Sequence, residues 1–330
     1  MGTYNGERYV EEQLRTILEQ SLQPAEILVS DDGSTDSTLD VVQKVAATTS
    51  VPIRVHQNVE TLGFADNFMR AAERAVSEII AFSDQDDRWL PRKLQAGLEA
   101  LDRESAVLST HRVRFIDGDG QIVPPERRSE PGLDVIEPLG GSPWGNFYGF
   151  TMMFRASLLE RLPTSERGMD VHSLTKPLSH DRWIYFLATT FGRTVILKEV
   201  LAEYRQHSGQ LYGGEVGRSL KQRIATKLAT GRSQSLGLAA VATYRADLLE
   251  TRSDDKLAQA AADRWRELAA YLTDSAKLYD DDLDRLQRLG VLTAAIRSRA
   301  YRPLEHGGLG RDRLAEDAVI LAAKLLRRRS

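Results

Sequence analysis

Glu78-Ile79-Ile80-Ala81-Phe82-Ser83-Asp84-Gln85-Asp86-Asp87 is a short apolar run that ends in clustered carboxylates. Such a run reads as a buried strand delivering oxygen ligands to its carboxyl end, where open α/β sheets bind their ligands. The pattern occurs once before, where Ala25-Glu26-Ile27-Leu28-Val29-Ser30 runs into Asp31-Asp32-Gly33-Ser34. Carboxylates of this kind hold a hard divalent cation, Mg²⁺ or Mn²⁺, which keeps waters and bridges to phosphates. A nucleoside diphosphate is the natural ligand of such a site. The competing reading is a solvated loop between strand and helix.

The flanking segments supply an architecture. Glu7 to Gln20 places Val10, Leu14, Ile17 and Leu18 on one face at helical spacing, and Pro24 separates this helix from the strand that follows. Ser34, Thr35 and Asp36 offer N-caps to a helix carrying Leu39, Val42 and Val45. Pro52 to His56 reads as a strand, Phe64 to Val76 as a helix, and Pro91 opens a helix with Leu94, Leu98 and Leu101. Strands alternating with helices in this way predict an α/β fold with a mostly parallel sheet and helices on both faces.

Past Ser105 the pattern changes. Ala106 to Leu108 and Val113 to Ile116 precede the turn Asp117-Gly118-Asp119-Gly120 and then Gln121-Ile122-Val123, a hairpin in appearance. The Asp-Gly repeat lacks the further ligands and closing Glu of a calcium loop. Residues 124–148 form a long Pro- and Gly-rich loop, a helix is expected from about Ala156, and Thr194 to Leu197 is a strand. From residue 213 the chain shows amphipathic helical patterns around 218–230, 235–251, 255–277, 280–299 and 311–328. Two regions are therefore expected, 1–212 and 213–330.

Composition narrows the partners. Of 330 residues, 42% are hydrophobic and 28% charged, and a net charge of −3 carries no basic excess to suggest nucleic acid. Without cysteine there is no disulfide framework, thiolate metal site or cysteine nucleophile. No stretch approaches the roughly 18 apolar residues of a membrane span, and the amino terminus lacks a signal-peptide core, so a cytoplasmic protein is expected. The basic end, Lys324 to Arg329, suits peripheral contact with anionic lipid at the inner face of the membrane, or a solvated helix end. No G-x-x-x-x-G-K-[ST] loop follows a strand, and Gly307-Gly308-Leu309-Gly310 has no strand before it.

Thr3-Tyr4-Asn5-Gly6, Asp31-Asp32-Gly33-Ser34, Asp84-Gln85-Asp86-Asp87 and Tyr204-Arg205-Gln206-His207, in this order, resemble the family 2 glycosyltransferases of the GT-A fold, most nearly the bacterial rhamnosyltransferase branch. The resemblance covers residues 3–212 and leaves the helical region unmatched. It implies a metal-dependent, inverting enzyme with a nucleoside-diphosphate sugar donor. Its rhamnosyl branch implies dTDP-rhamnose as donor and a saccharide or lipid-linked acceptor in surface polysaccharide synthesis. The family also has an apolar strand immediately before Thr-Tyr-Asn. Here Met1 to Gly6 reads as turn chemistry, so the sheet is expected to lack that strand or to gain it from upstream.

The resemblance also implies roles. Thr3, Tyr4 and Asn5 line the nucleotide pocket, Asp32 or Asp31 accepts from a base NH, and Asn67 sits near the nucleotide. Asp84 touches ribose or metal, Asp86 coordinates the metal, and His207 is a metal ligand or phosphate donor with Arg205 as a second cation. Asp181 is the general base, beside a His180 that orients or packs. By side-chain chemistry, Trp144, Asn146 and Trp183 are candidates for the acceptor side, because aromatic faces suit sugar C–H surfaces and amides suit hydroxyls. Each role has a plainer alternative: helix caps for Asp31, Asp32, Asp87 and Asp181, a solvated amide for Asn67, core packing for the tryptophans. Two other functions stay open, a sugar-phosphate nucleotidyltransferase and an inactive scaffold that binds nucleotide or protein partners. The helical region leaves room for an oligomer contact.

Overall fold

The computed structural model describes the chain apart from residues 125–128, 131, 171–174, 208–219, 281, 304–307 and 327–330. It divides into two compact units: Met1–Pro138 with Asn146–Arg167 and Leu178–Gly213, and Leu139–Gly145 with Gly168–Pro177 and Gly214–Ser330. The boundary expected at 212/213 falls outside the described residues.

The first unit is α/β. Its strands begin with β1 (Gly2–Thr3), β2 (Ile27–Asp31) and β3 (Ile53–Gln57), paired in parallel in that order. β2 is buried along its whole length, as a continuous apolar run in a parallel sheet requires. The turn expected at the amino terminus is thus in part a strand. Met1 O accepts from Ser30 N (2.9 Å) and Thr3 O from Asp32 N (2.9 Å). The Met1 ammonium, which burial brings down to about 5, donates to Leu28 O (2.8 Å).

Between these strands run α1 (Val10–Leu18), α2 (Thr38–Ala46) and α3 (Phe64–Arg74). α1 buries Val10, Leu14 and Ile17, as the spacing predicts, and places Glu11 and Glu12 in the first turn, where the helix dipole favours acids. α3 starts after Gly63, whose φ of 83° lies in the left-handed region.

A second, six-stranded sheet contains β4 (Ile79–Ala81), β5 (Arg88–Trp89), β6 (Leu108–Ile116), β7 (Leu133–Ile136), β8 (Met153–Arg155) and β9 (Thr194–Arg205), in the order β4-β8-β6-β9-β5 with β7 also on β9. β6 and β9 are parallel, and the other pairs are antiparallel. The antiparallel strands come mostly from beyond residue 105, where alternation of strand and helix gives way. The Asp117–Gly120 turn is closed by Asp117 N to Gln121 O (2.9 Å), and part of the long loop is β7. α4 (Lys93–Arg103) and α5 (His180–Phe191) complete the unit, while Ala156–Glu160 is a 3₁₀ turn rather than an α-helix. Gly2 N donates to Ser83 O (3.3 Å), which ties β1 to the end of β4.

The second unit is helical: α6 (Leu220–Glu250), α7 (Lys256–Ala276), α8 (Arg285–Arg297) and α9 (Gly310–Leu326). The two patterns expected at 218–230 and 235–251 are one continuous helix. Asp255 caps α7, and Asp284 with Gln287 forms a capping box on α8. Asp317 is buried with its charge answered by Arg313 Nε (3.0 Å), Tyr301 OH (2.7 Å) and Ser275 Oγ (3.1 Å). Among the described residues no helix is long and apolar enough to cross a membrane. Of the basic end, Arg327–Arg329 lie outside the described residues.

Candidate active site

The site lies in the first unit, where the chain leaves β1, β2 and β4. After β2, Asp31 is wholly enclosed: its carboxylate accepts from Thr3 Oγ1 (2.8 Å), Gly33 N (3.2 Å) and Ser34 N (2.8 Å). Asp32 accepts from Asn58 Nδ2 (3.0 Å), Leu62 N (2.8 Å) and Gly63 N (2.8 Å), which fixes the entry to α3. Asn67 is buried rather than solvated; it donates to Ser30 O (2.8 Å) and accepts from Asn58 Nδ2 (2.8 Å). Asp31 and Asn67 therefore brace the carboxyl end of β2. Asp32 Oδ2, with one donor, keeps a lone pair for a ligand.

Tyr4, Asn5 and Gly6 form the facing rim. Tyr4 is 53% exposed. Asn5, at φ 46°, receives Thr35 N on its side-chain oxygen (2.8 Å) and donates its own N–H to Ser34 Oγ (2.9 Å). Gln85, the middle residue of the acidic knot, grips both main-chain atoms of Tyr4: its Oε1 accepts from Tyr4 N (2.9 Å) and its Nε2 donates to Tyr4 O (3.0 Å). A Cβ at Gly6 would meet Gln85 Oε1 at 2.2 Å, so only glycine lets the rim approach this closely.

The acids around Gln85 are crowded. Burial, followed by the charges of Asp86 and Asp181, pushes Asp84 up to about 7. Burial, Asp84 and Asp86 hold Asp87 well above the carboxylate range. Carboxylates that raise one another in this way favour a cation in their midst. Asp86 Oδ2 lies 2.8 Å from His207 Nε2. Asp87 faces inward and accepts from Arg205 N (3.0 Å), which makes it a support of the loop.

Arg205 was expected as a cation for the diphosphate. Its guanidinium is instead buried behind the knot, where it donates to Asp86 O (2.8 Å), Gly118 O (3.2 Å) and Glu12 Oε2 (2.5 Å) and lies 4.6 Å from the Tyr9 ring centroid. The reason lies far along the chain: β9 ends at Arg205, and Glu12 on α1, 193 residues away in sequence, holds the fork there.

Asp181 sits in the first turn of α5. Ser179 Oγ and Arg182 N (2.8 Å) donate to one oxygen, and Asn146 Nδ2 donates to the other (2.7 Å). Asn146, expected at the acceptor, thus orients the candidate base. His180 packs its ring on Phe68 (centroids 4.1 Å apart) and edge-on to Phe82 (4.9 Å); burial lowers it to about 4, so it is a neutral core residue. Trp183 is 1% exposed and packs against Phe186 (5.4 Å), so core packing and not a sugar accounts for it. Trp144 belongs to the helical unit, with its ring 5.2 Å from Trp265 and the Arg245 guanidinium 5.4 Å from it.

Close packing on His180 gives a stability test. A Cβ at Gly149 would stand 2.4 Å from His180 Nε2, and the ring is confined by Phe68 and Phe82. Gly149→Ala is expected to cost about 2 kcal/mol in urea denaturation through overpacking. An unchanged midpoint would show that the ring has room to move.

Lys93 was missed by sequence reasoning. At the first position of α4 it is buried, donates to Phe150 O (2.5 Å), lies 3.1 Å from His111 Nε2 and stands over Trp89 (4.1 Å). Burial lowers it to about 7 against the opposing charges of Asp87 and Asp84. A lysine opposes the dipole at a helix start, and that misfit was the available signal.

Among the described residues no group of three or more His, Asp or Glu side chains stands at metal-ligating geometry. One or two carboxylates with substrate phosphates suffice for Mg²⁺, so the crowded Asp84 and Asp86, with His207 beside them, fit a dication that arrives with its nucleotide.

Known proteins share this arrangement of segments. The family model "Glycosyl transferase family 2" matches residues 1–162. EpsE of Bacillus subtilis is 32% identical over 215 residues, 63% of this chain and 72% of EpsE. An uncharacterized glycosyltransferase of Nostoc sp. is 29% identical over 210 residues, and the chain spans 63% of that protein's length. Residues 1–349 of S. aureus TarS, solved with UDP-GlcNAc, share the fold with a TM-score of 0.51 at 18% identity, over 98% of this chain and 89% of that one. With the strand-end acids in place and a relative matched over most of its length, the chain belongs to glycosyl transferase family 2.

Proposed function

We propose that the protein transfers a sugar, with inversion, from a nucleoside-diphosphate sugar to a hydroxyl of a saccharide or lipid-linked acceptor in polysaccharide synthesis. The observation that carries this is the cluster at the end of β4: Asp86 Oδ2 lies 2.8 Å from His207 Nε2 beside the crowded Asp84 and Asp87, and the Asp181 carboxylate, held by Asn146 Nδ2 (2.7 Å), is among the charges that push Asp84 up. Asp181 takes the proton of the acceptor hydroxyl as its oxygen attacks the anomeric carbon, and the bond to the diphosphate breaks on the opposite face. Asp84, Asp86 and His207 would hold Mg²⁺ or Mn²⁺, which when bound stabilises the charge of the leaving diphosphate. Thr3, Tyr4 and Asn5 form the rim for the nucleotide, and Asp32 offers its free lone pair to a base NH. The rhamnosyl donor rests on the motif resemblance alone.

The test is release of nucleoside diphosphate from a panel of UDP-, GDP- and dTDP-sugars. At least one donor is expected to react with Mn²⁺ or Mg²⁺, to stop with chelator and to resume when metal is restored. No release from any donor would favour the binding scaffold.

A further inference from the structure

Resting on the transferase reading, we infer that the exposed face of Tyr148 is an aromatic platform for a pyranose ring on the acceptor side of the site. Tyr148 lies two residues after Asn146, whose amide holds Asp181, so the segment that orients the candidate base also presents this ring. The ring is 49% exposed yet firmly seated. It stacks on Phe150 (5.7 Å, 19°) and lies 5.2 Å from Tyr204, which itself contacts Phe150 (5.2 Å).

The main chain beneath is pinned as well. Tyr148 O accepts from Thr151 N (2.9 Å) and Thr151 Oγ1 (2.7 Å), and Phe150 O receives the buried Lys93 ammonium. A half-exposed aromatic ring with one face packed and its backbone fixed offers apolar area at little further entropic cost. The ligand class that matches a flat apolar face carried two residues from the Asn146–Asp181 pair is a sugar, whose C–H face stacks on the ring while its hydroxyls hydrogen-bond to amide and carboxylate groups.

The probes are the methyl glycosides of rhamnose, glucose and N-acetylglucosamine, followed by saturation-transfer NMR on the full chain with Mg²⁺ and UDP or dTDP. At least one is expected to bind wild type, Tyr148→Phe to bind within about twofold, and Tyr148→Leu to bind about tenfold more weakly, the size of an aromatic contact. A measurement without loss of the ring uses ¹³C-tyrosine: the resonance that disappears in Tyr148→Phe must shift on titration with the bound glycoside. No binding of any glycoside to wild type, equal affinity in Tyr148→Leu, an unmoved Tyr148 resonance, or competitive displacement by the nucleoside diphosphate would each overturn the inference. Failure of the transferase reading shows separately, as no diphosphate release by wild type, in an assay without glycoside.

Discussion

Replacing Asp181 by asparagine is expected to slow sugar transfer about a thousandfold, within the range that a general base contributes. The substitution keeps size and leaves oxygen lone pairs for Ser179 and Arg182, so the start of α5 should survive, with a thermal midpoint within a few degrees of wild type. What disappears is the basic oxygen that Asn146 presents. Steady-state transfer assays with the donor found in the screen provide the measurement. A rate within threefold of wild type would remove Asp181 from the chemistry and leave it as a helix cap.

Arg205→Leu is expected to destabilise the first unit by about 3 kcal/mol, the lower end of the cost of breaking a buried ion pair. Glu12, 43% exposed, can turn towards water and keeps Arg88 (2.7 Å), which is why the low end applies. The part-buried carbonyls of Asp86 and Gly118 lose a charged donor as well. Because Asp86 is one of them, apparent metal affinity should fall along with stability. Arg205→Lys restores the charge without the planar fork and should recover less than half of the loss. Urea denaturation and metal titration of diphosphate release measure the two effects, and a stability equal to wild type would contradict the buried role.

The parts legible in the sequence were those carried by local pattern. Apolar runs ending in Asp31-Asp32 and Asp84-Gln85-Asp86 mark strand ends because residue type and position are adjacent in the chain. The helical region showed through its periodicity, although α6 reads as two helices where Gly231 and Ser233 interrupt the pattern. Partnership across the chain was not legible. Nothing beside Gln85 in the chain points to its partner, Tyr4, which lies 81 residues away. The resemblance made Arg205 a ligand cation, and nothing local reveals that Glu12 and the carbonyls of Asp86, Asp117 and Gly118 enclose it. Tryptophan is equally at home in a core and under a sugar, so Trp183 needed its 1% exposure to be assigned.

The grip of Gln85 on Tyr4 has a consequence for how a donor is met. Two hydrogen bonds to one residue's main chain couple the Tyr4 segment to the acidic knot, so that, on the proposed function, both sides of the donor site are joined before any ligand arrives. The entropy of aligning them is lost during folding and is not charged to binding. Motifs eighty-odd residues apart are thereby a single mechanical element, and loosening either end, at Gly6 or at Gln85, weakens the other without touching it.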